Sequence, residues 1–86
     1  MIDAEFRSEE RFSRLSIAYE TEDEKKSVSN CVENVTAKYT MKPETYITKV
    51  SNGKEVLVIE YHDDIDREAG DIFEIIIKTL EIKTFI

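Results

Sequence analysis

The 86-residue chain is poor in several residue types that mark common protein classes. Its one cysteine, Cys31, cannot make an internal disulfide. There is no signal-peptide pattern and no apolar run of the about 18 residues that a membrane span needs. Two glycines, Gly53 in a predicted turn and Gly70 in a predicted helix, provide no glycine-rich phosphate loop. We expect a soluble cytoplasmic protein, also nuclear in a eukaryote, with no membrane partner.

Positive charge is also scarce. The chain has 12 lysines and arginines and 19 aspartates and glutamates, which gives a net charge of −7. Nucleic-acid affinity comes mostly from Lys and Arg that neutralise phosphates, so we expect tRNA to be reached only through a partner. The chain is 41% hydrophobic, enough for a core. A domain of this size buries only about 60% of its unfolded surface, so its stability should be marginal without a partner.

The first part of the chain predicts an arm, a strand and a helix. Residues 1–11 show no sustained period and are interpreted as a flexible N-terminal arm, followed by a single domain over residues 12–86. The less favoured alternative for the arm is a docked terminal strand. Apolar residues then alternate with polar or small ones, as in a half-buried strand. The alternating residues are Leu15, Ile17 and Tyr19. Thr21 and Glu24 have the spacing of a capping box, which begins a helix over about residues 22–35.

A hairpin is predicted around Asn52-Gly53, because both residues can adopt the positive φ of a two-residue turn. Such a turn would pair Val50 with Glu55 and Thr48 with Leu57. It would also place Tyr46 and Thr48 on the face that the helices cover.

The order of elements predicts an α+β fold with the order β-α-β-β-α. Its three-stranded antiparallel sheet would have the last strand in the middle and two helices packed on one face. The first strand would remain an open edge.

The second helix has more large apolar residues than one face needs. A stripe at helical spacing predicts the core-facing side and includes Ile72 and Ile76. Outside this stripe lie Ile75, Ile82 and Ile86. We interpret these three as an association surface. The alternative is that they belong to an ordinary core whose register differs from the predicted one.

No pattern predicts catalysis. His62 beside Asp63 and Asp64 combines ligand types, but such residues at a strand end are mostly solvated. Cys31 occupies a core-facing helix position and is interpreted as a small buried side chain. We therefore predict a protein that is not an enzyme and has no catalytic residues, no cofactor and no metal.

Several strings of the sequence resemble the small dimerisation subunit of the KEOPS complex, also called the polarised-growth chromatin-associated controller family. The resemblance runs from about Leu15 to the C-terminus. The strings are Tyr19-Glu20-Thr21-Glu22, Lys42-Pro43, Glu55-Val56-Leu57-Val58-Ile59-Glu60-Tyr61, Asp63-Asp64-Ile65-Asp66-Arg67 and Ile75-Ile76-Ile77-Lys78-Thr79-Leu80-Glu81.

The resemblance implies a non-catalytic subunit that supports threonylcarbamoyladenosine modification of tRNA. In that family the two helices pack on the threonylcarbamoyl transferase subunit, and the subunit forms a homodimer or pairs with a small acidic partner. The partner-binding residues implied here are Val28, Val32, Ile75, Thr79, Ile82 and Ile86.

Three other functions remain as alternatives: an acidic inhibitor, an RNA-binding module and an enzyme of unknown type. A small acidic phage-type inhibitor that mimics nucleic acid would need its acids ordered on one surface, whereas here they are spread along the chain. A KH-like RNA-binding module would need a GxxG loop and the opposite sign of charge.

Overall fold

The computed structural model describes residues 2–9, 12–49, 54–62 and 68–82. Two helices and an antiparallel sheet confirm the α+β class, but the sheet has four strands, not three. The predicted order β-α-β-β-α is therefore wrong. In chain order the elements are β1 (Asp3–Ser8), β2 (Phe12–Tyr19), α1 (Glu22–Thr36), β3 (Glu44–Lys49), β4 (Glu55–His62) and α2 (Glu68–Thr79).

The additional strand is β1, so the interpretation of the N-terminus as a flexible arm is wrong for Asp3–Ser8. β1 pairs antiparallel with β2, with Ala4 opposite Ile17 and Phe6 opposite Leu15. Ala4 is buried, and the Phe6 ring packs edge-on against Phe73 with ring centroids 5.6 Å apart. The edge of β2 that was expected to be open is therefore covered by the chain itself.

The sheet order is β1-β2-β4-β3. β4 lies between β2 and β3, as expected for the strand after the hairpin. Within the described residues, the two outer strands, β1 and β3, each have a neighbour on one side only. Every residue of β3 is exposed. An exposed edge strand presents unpaired backbone donors and acceptors that another chain can use.

The predicted register of the hairpin is wrong by one residue. Thr48 lies opposite Val56, and Lys49 lies opposite Glu55. The described ladder is therefore one residue out of step with the predicted pairing of Val50 with Glu55. The turn itself lies outside the described residues. Since side chains alternate between faces, this shift puts Tyr46 and Thr48 on the face away from the helices.

Both helices cover the other face of the sheet. α1 and α2 contact each other and β2. In the core beneath them, Leu15 lies opposite Ile59 and Ile17 opposite Leu57, and all four side chains are buried. Neither helix among the described residues is long and apolar enough to cross a membrane.

α1 begins at the predicted capping box. Thr21 accepts a hydrogen bond from the Glu24 backbone amide at 3.1 Å, and Glu24 Oε1 accepts from the Thr21 amide at 3.3 Å. These bonds satisfy two amides that have no partner inside the helix. At the other end, Lys42 Nζ donates to the Thr36 carbonyl at 3.0 Å.

α2 ends in a Schellman motif. The Glu81 amide donates to the Lys78 carbonyl at 3.1 Å, and the Ile82 amide donates to the Ile77 carbonyl at 3.0 Å. Glu81 has a φ of 55°, the left-handed conformation that this motif requires. The chain thereby turns back, and Ile82 is buried in the core. The expectation that Ile82 belongs to an outer face of the helix is wrong, because the helix ends before it.

Glu81→Gly should stabilise the protein by about 0.5–1 kcal/mol, because glycine adopts this conformation without the steric cost of a Cβ. Urea unfolding of the native chain, Glu81→Gly and the control Glu81→Ala measures the effect. Alanine should give no comparable gain. A glycine variant less stable than the alanine variant would contradict this account of the helix end.

Candidate protein-binding surface

The predicted partner-binding residues lie in different environments. Val28 and Val32 of α1 are buried in the core. Ile75 is 40% exposed, and Thr79, the last residue of α2, is also exposed. Ile82 is buried, and Ile86 lies outside the described residues. Of the six, Ile75 and Thr79 therefore offer surface for direct contact with another protein.

An apolar groove lies between β1 and α2, at a place that the sequence did not indicate. Its volume is about 410 Å³. It is lined by Phe6, Gly70, Phe73, Glu74, Ile77 and Lys78. The groove was missed because Phe6 was assigned to a loose arm, although Ile2, Ala4 and Phe6 do alternate with charged residues.

Gly70 helps to keep the groove open. It lies in the first turn of α2, and a Cβ added there would meet no atom within 4 Å. Because Gly70 also lines the groove, we expect a larger side chain at this position to occupy part of the groove. At 100° per residue, the groove residues Gly70, Glu74 and Ile77 lie on a different side of α2 from Ile75 and Thr79. The helix thus has two separate surfaces available to partners.

The charged residues at the rim of the groove neutralise each other in part. Lys78 Nζ lies 2.8 Å from Glu74 Oε1, one helical turn away. The hydrogen bond from Lys78 lowers the pKa of Glu74, and the same contact raises the pKa of Lys78. Both side chains are largely exposed, so this pair contributes little to stability.

The chain matches no known protein family, no curated protein and no solved structure. The resemblance to the KEOPS subunit thus depends on the sequence strings alone.

A polar cluster at the start of α1 ties three elements together. The Tyr19 hydroxyl donates to Glu55 Oε1 at 3.0 Å, and Lys25 Nζ lies 3.3 Å from the same oxygen. Burial and then the bond to Glu55 raise the pKa of Tyr19 to about 12. The bond from Tyr19, followed by Lys25, lowers the pKa of Glu55. The cluster joins β2, β4 and α1, and these contacts give it a structural role.

The raised pKa of Tyr19 predicts a loss of stability in alkali. Below the ordinary tyrosine pKa of 10.0 the phenol is protonated in both states, so its contribution is complete. Between pH 10 and about 12 the unfolded chain loses this proton first, so the contribution declines. The stability of the native chain should therefore fall more steeply than that of Tyr19→Phe across this window. Parallel urea titrations of both proteins, with Tyr39→Phe as control, measure the slopes, and equal slopes would contradict the assignment.

The chemically reactive side chains occupy two different settings. Cys31 is buried as expected, and burial raises the pKa of its thiol, which disfavours the nucleophilic thiolate. His62 is exposed at the end of β4, where its Nε2 lies 3.4 Å from Glu44 Oε2 and 3.4 Å from Glu60 Oε1. Asp63 and Asp64, the neighbours considered in the sequence, lie outside the described residues.

Proposed function

We propose that this chain is a non-catalytic adaptor subunit of a KEOPS-type complex. In this role it binds the threonylcarbamoyl transferase subunit and supports threonylcarbamoyladenosine modification of tRNA without contacting the tRNA itself. The observation that carries the proposal is the apolar groove of about 410 Å³ between β1 and α2. An adaptor needs such a surface and needs no active site.

The groove suits an apolar side chain from the surface of a partner. Phe6, Phe73 and Ile77 provide its apolar lining. Burying one large apolar side chain there is worth about 1.5–3 kcal/mol. Association also costs several kcal/mol in lost translational and rotational entropy. Contacts in the groove alone are therefore too few for tight binding. Ile75 and Thr79, on the other side of α2, supply a second contact region for the same partner.

The open edges of the sheet support the dimerisation part of the proposal. Edge strand β3 carries two large apolar residues, Tyr46 at 39% exposure and Ile47 at 45%. A second copy, or a small acidic partner, would extend the sheet through backbone hydrogen bonds at β3 or β1. The chain would then serve as the dimerisation subunit that the resemblance implies.

The alternative function is an acidic inhibitor that mimics nucleic acid. That role requires free carboxylates on one surface, yet several acids here pair with lysines of the same chain. Glu20 lies 3.1 Å from Lys54, Glu55 lies 3.3 Å from Lys25, and Glu74 pairs with Lys78. These pairs favour the adaptor over the mimic.

The proposal is tested by capture of partners from the source organism, followed by mass spectrometry. The native chain should retain the threonylcarbamoyl transferase subunit, whereas Gly70→Leu, which fills the groove, should retain much less. Gly70→Ala is the matched control, because it adds a Cβ but leaves most of the groove open. Capture of a nucleic-acid-binding protein with no transferase subunit would support the inhibitor instead.

A tRNA titration separates the adaptor from a direct RNA binder. Because of the net charge of −7, the isolated chain should bind tRNA no more tightly than about 10⁻⁴ M at physiological salt. Tighter, salt-sensitive binding would overturn the adaptor proposal.

A further inference from the structure

Three potential metal ligands meet on the sheet face away from the helices. Glu44 of β3 lies directly opposite Glu60 of β4, and His62 follows two residues later on the same face. One ligand atom of each residue lies within 4.8 Å of the others. The sequence could not indicate this set, because Glu44 joins it only through the register of the β3–β4 ladder.

The spacing fits a small transition-metal ion. His62 Nε2 lies 3.4 Å from one oxygen of Glu44 and 3.4 Å from one oxygen of Glu60. In a tetrahedral zinc site with bonds of about 2.0–2.1 Å, neighbouring ligand atoms are separated by about 3.3–3.4 Å. The carboxylate oxygens of Glu44 and Glu60 lie within 4.8 Å of each other, so an ion would fit once these two side chains moved to tetrahedral spacing.

Neighbouring side chains orient the ligands. The Tyr46 hydroxyl donates to Glu60 Oε2 at 2.8 Å, which leaves Oε1 directed at His62. The Phe12 ring packs against the imidazole of His62 with ring centroids 5.2 Å apart. Hydrogen bonds that hold a ligating carboxylate are a usual component of metal sites. Both carboxylates and the imidazole are also carried by paired strands, which are rigid supports.

We propose that Glu44, Glu60 and His62 form a Zn²⁺ site that ties edge strand β3 to β4. An imidazole with two carboxylates suits zinc better than magnesium or calcium, which prefer six or more oxygen ligands. The remaining position faces solvent and takes water. Arg14, opposite Glu60 on β2, opposes the cation and limits the affinity. The site does not depend on the adaptor function.

The test is calorimetric titration of the tag-free native chain with zinc chloride. One equivalent should bind. Glu44→Gln and His62→Gln should each abolish binding or weaken it more than tenfold, and Tyr46→Phe should weaken it about tenfold. Arg14→Gln should strengthen it, because a repelling charge is removed. Glu33→Gln on α1 and Cys31→Ser are the controls and should bind as the native chain does.

Thermal unfolding provides a second readout that does not depend on heat of binding. Zinc at about 100 times its dissociation constant should raise the ratio of folded to unfolded chain about 100-fold, and thus raise the Tm of the native chain. Glu44→Gln should show no such increase. The proposal is overturned if the native chain shows no saturable zinc binding, or if Glu44→Gln binds as tightly as the native chain. It is also overturned if Asp63→Asn with Asp64→Asn abolishes binding while Glu44→Gln does not.

Discussion

Ile76→Asp should prevent the chain from folding at 25 °C. Ile76 lies on the core face of α2 and is fully buried. Removing a buried isoleucine costs about 2–5 kcal/mol, and an unpaired carboxylate in the core adds several more. Domains are typically stable by only about 5–15 kcal/mol, and one of this size belongs near the lower end. Circular dichroism of the variant should show neither the native spectrum nor a cooperative thermal transition.

Ile75→Asp is the matched control for this prediction. It makes the same chemical change one residue away, at a side chain that is 40% exposed. The carboxylate can remain in water, so stability should change by less than about 1 kcal/mol. If Ile76→Asp is instead folded and shows a cooperative transition with nearly native stability, then Ile76 does not lie on the core-facing side of α2.

Removal of β1 should destabilise the chain by about 2–4 kcal/mol. Deleting residues 1–8 removes the contact of Phe6 with Phe73 and uncovers the edge of β2. Burial of a phenylalanine is worth about 1.5–3 kcal/mol, and an edge-on aromatic pair adds about 0.5–1.5 kcal/mol. Partial burial of Phe6 lowers this sum, whereas loss of the buried Ala4 and of the β1–β2 ladder raises it. Urea unfolding of the truncated and native chains measures the loss.

Two point variants show whether the loss comes from this packing. Phe6→Ala should reproduce a large part of it, while Glu5→Ser, an exposed change on the same strand, should have little effect. A truncated chain as stable as the native one would restore the earlier interpretation of residues 1–11 as a loose arm.

Periodicity predicted the elements that have one buried face. On β2, Leu15, Ile17 and Tyr19 are buried as expected, and so are Ile72 and Ile76 of the apolar stripe on α2. The capping box at Thr21 likewise begins α1, because its two hydrogen bonds are local and need no tertiary context. Patterns of this kind depend only on which side of an element faces the core, so they can be recognised in the sequence alone.

The register of β3 could not be predicted, because this strand lacks a buried face. Every residue of β3 is exposed, so neither face is selected by burial. Asn52-Gly53 was then the only sequence signal for the register, and it favoured pairing of Thr48 with Leu57, whereas Thr48 lies opposite Val56. The group of Glu44, Glu60 and His62 depends on this register, which explains why it was not found in the sequence.

The end of α2 and the groove were missed because their signals are weak. The Schellman motif has Glu81 where glycine is the usual marker, so the helix was extended to Ile82 and beyond. β1 is short, with Ala4 and Phe6 as its inward apolar residues in the described strand. Both errors concern how the ends of the chain fold back on the core, which depends on tertiary contacts.

The most direct test of the adaptor account is a binding titration of the purified transferase subunit with the native chain, Gly70→Ala and Gly70→Leu. Replacing a helical glycine stabilises the helix by about 0.5–1 kcal/mol, so both variants should fold at least as well as the native chain. The account predicts that the native chain and Gly70→Ala bind with similar affinity, while Gly70→Leu binds at least tenfold more weakly despite its stable fold. A native chain that does not bind, or a leucine variant that binds as tightly as the native chain, would contradict it.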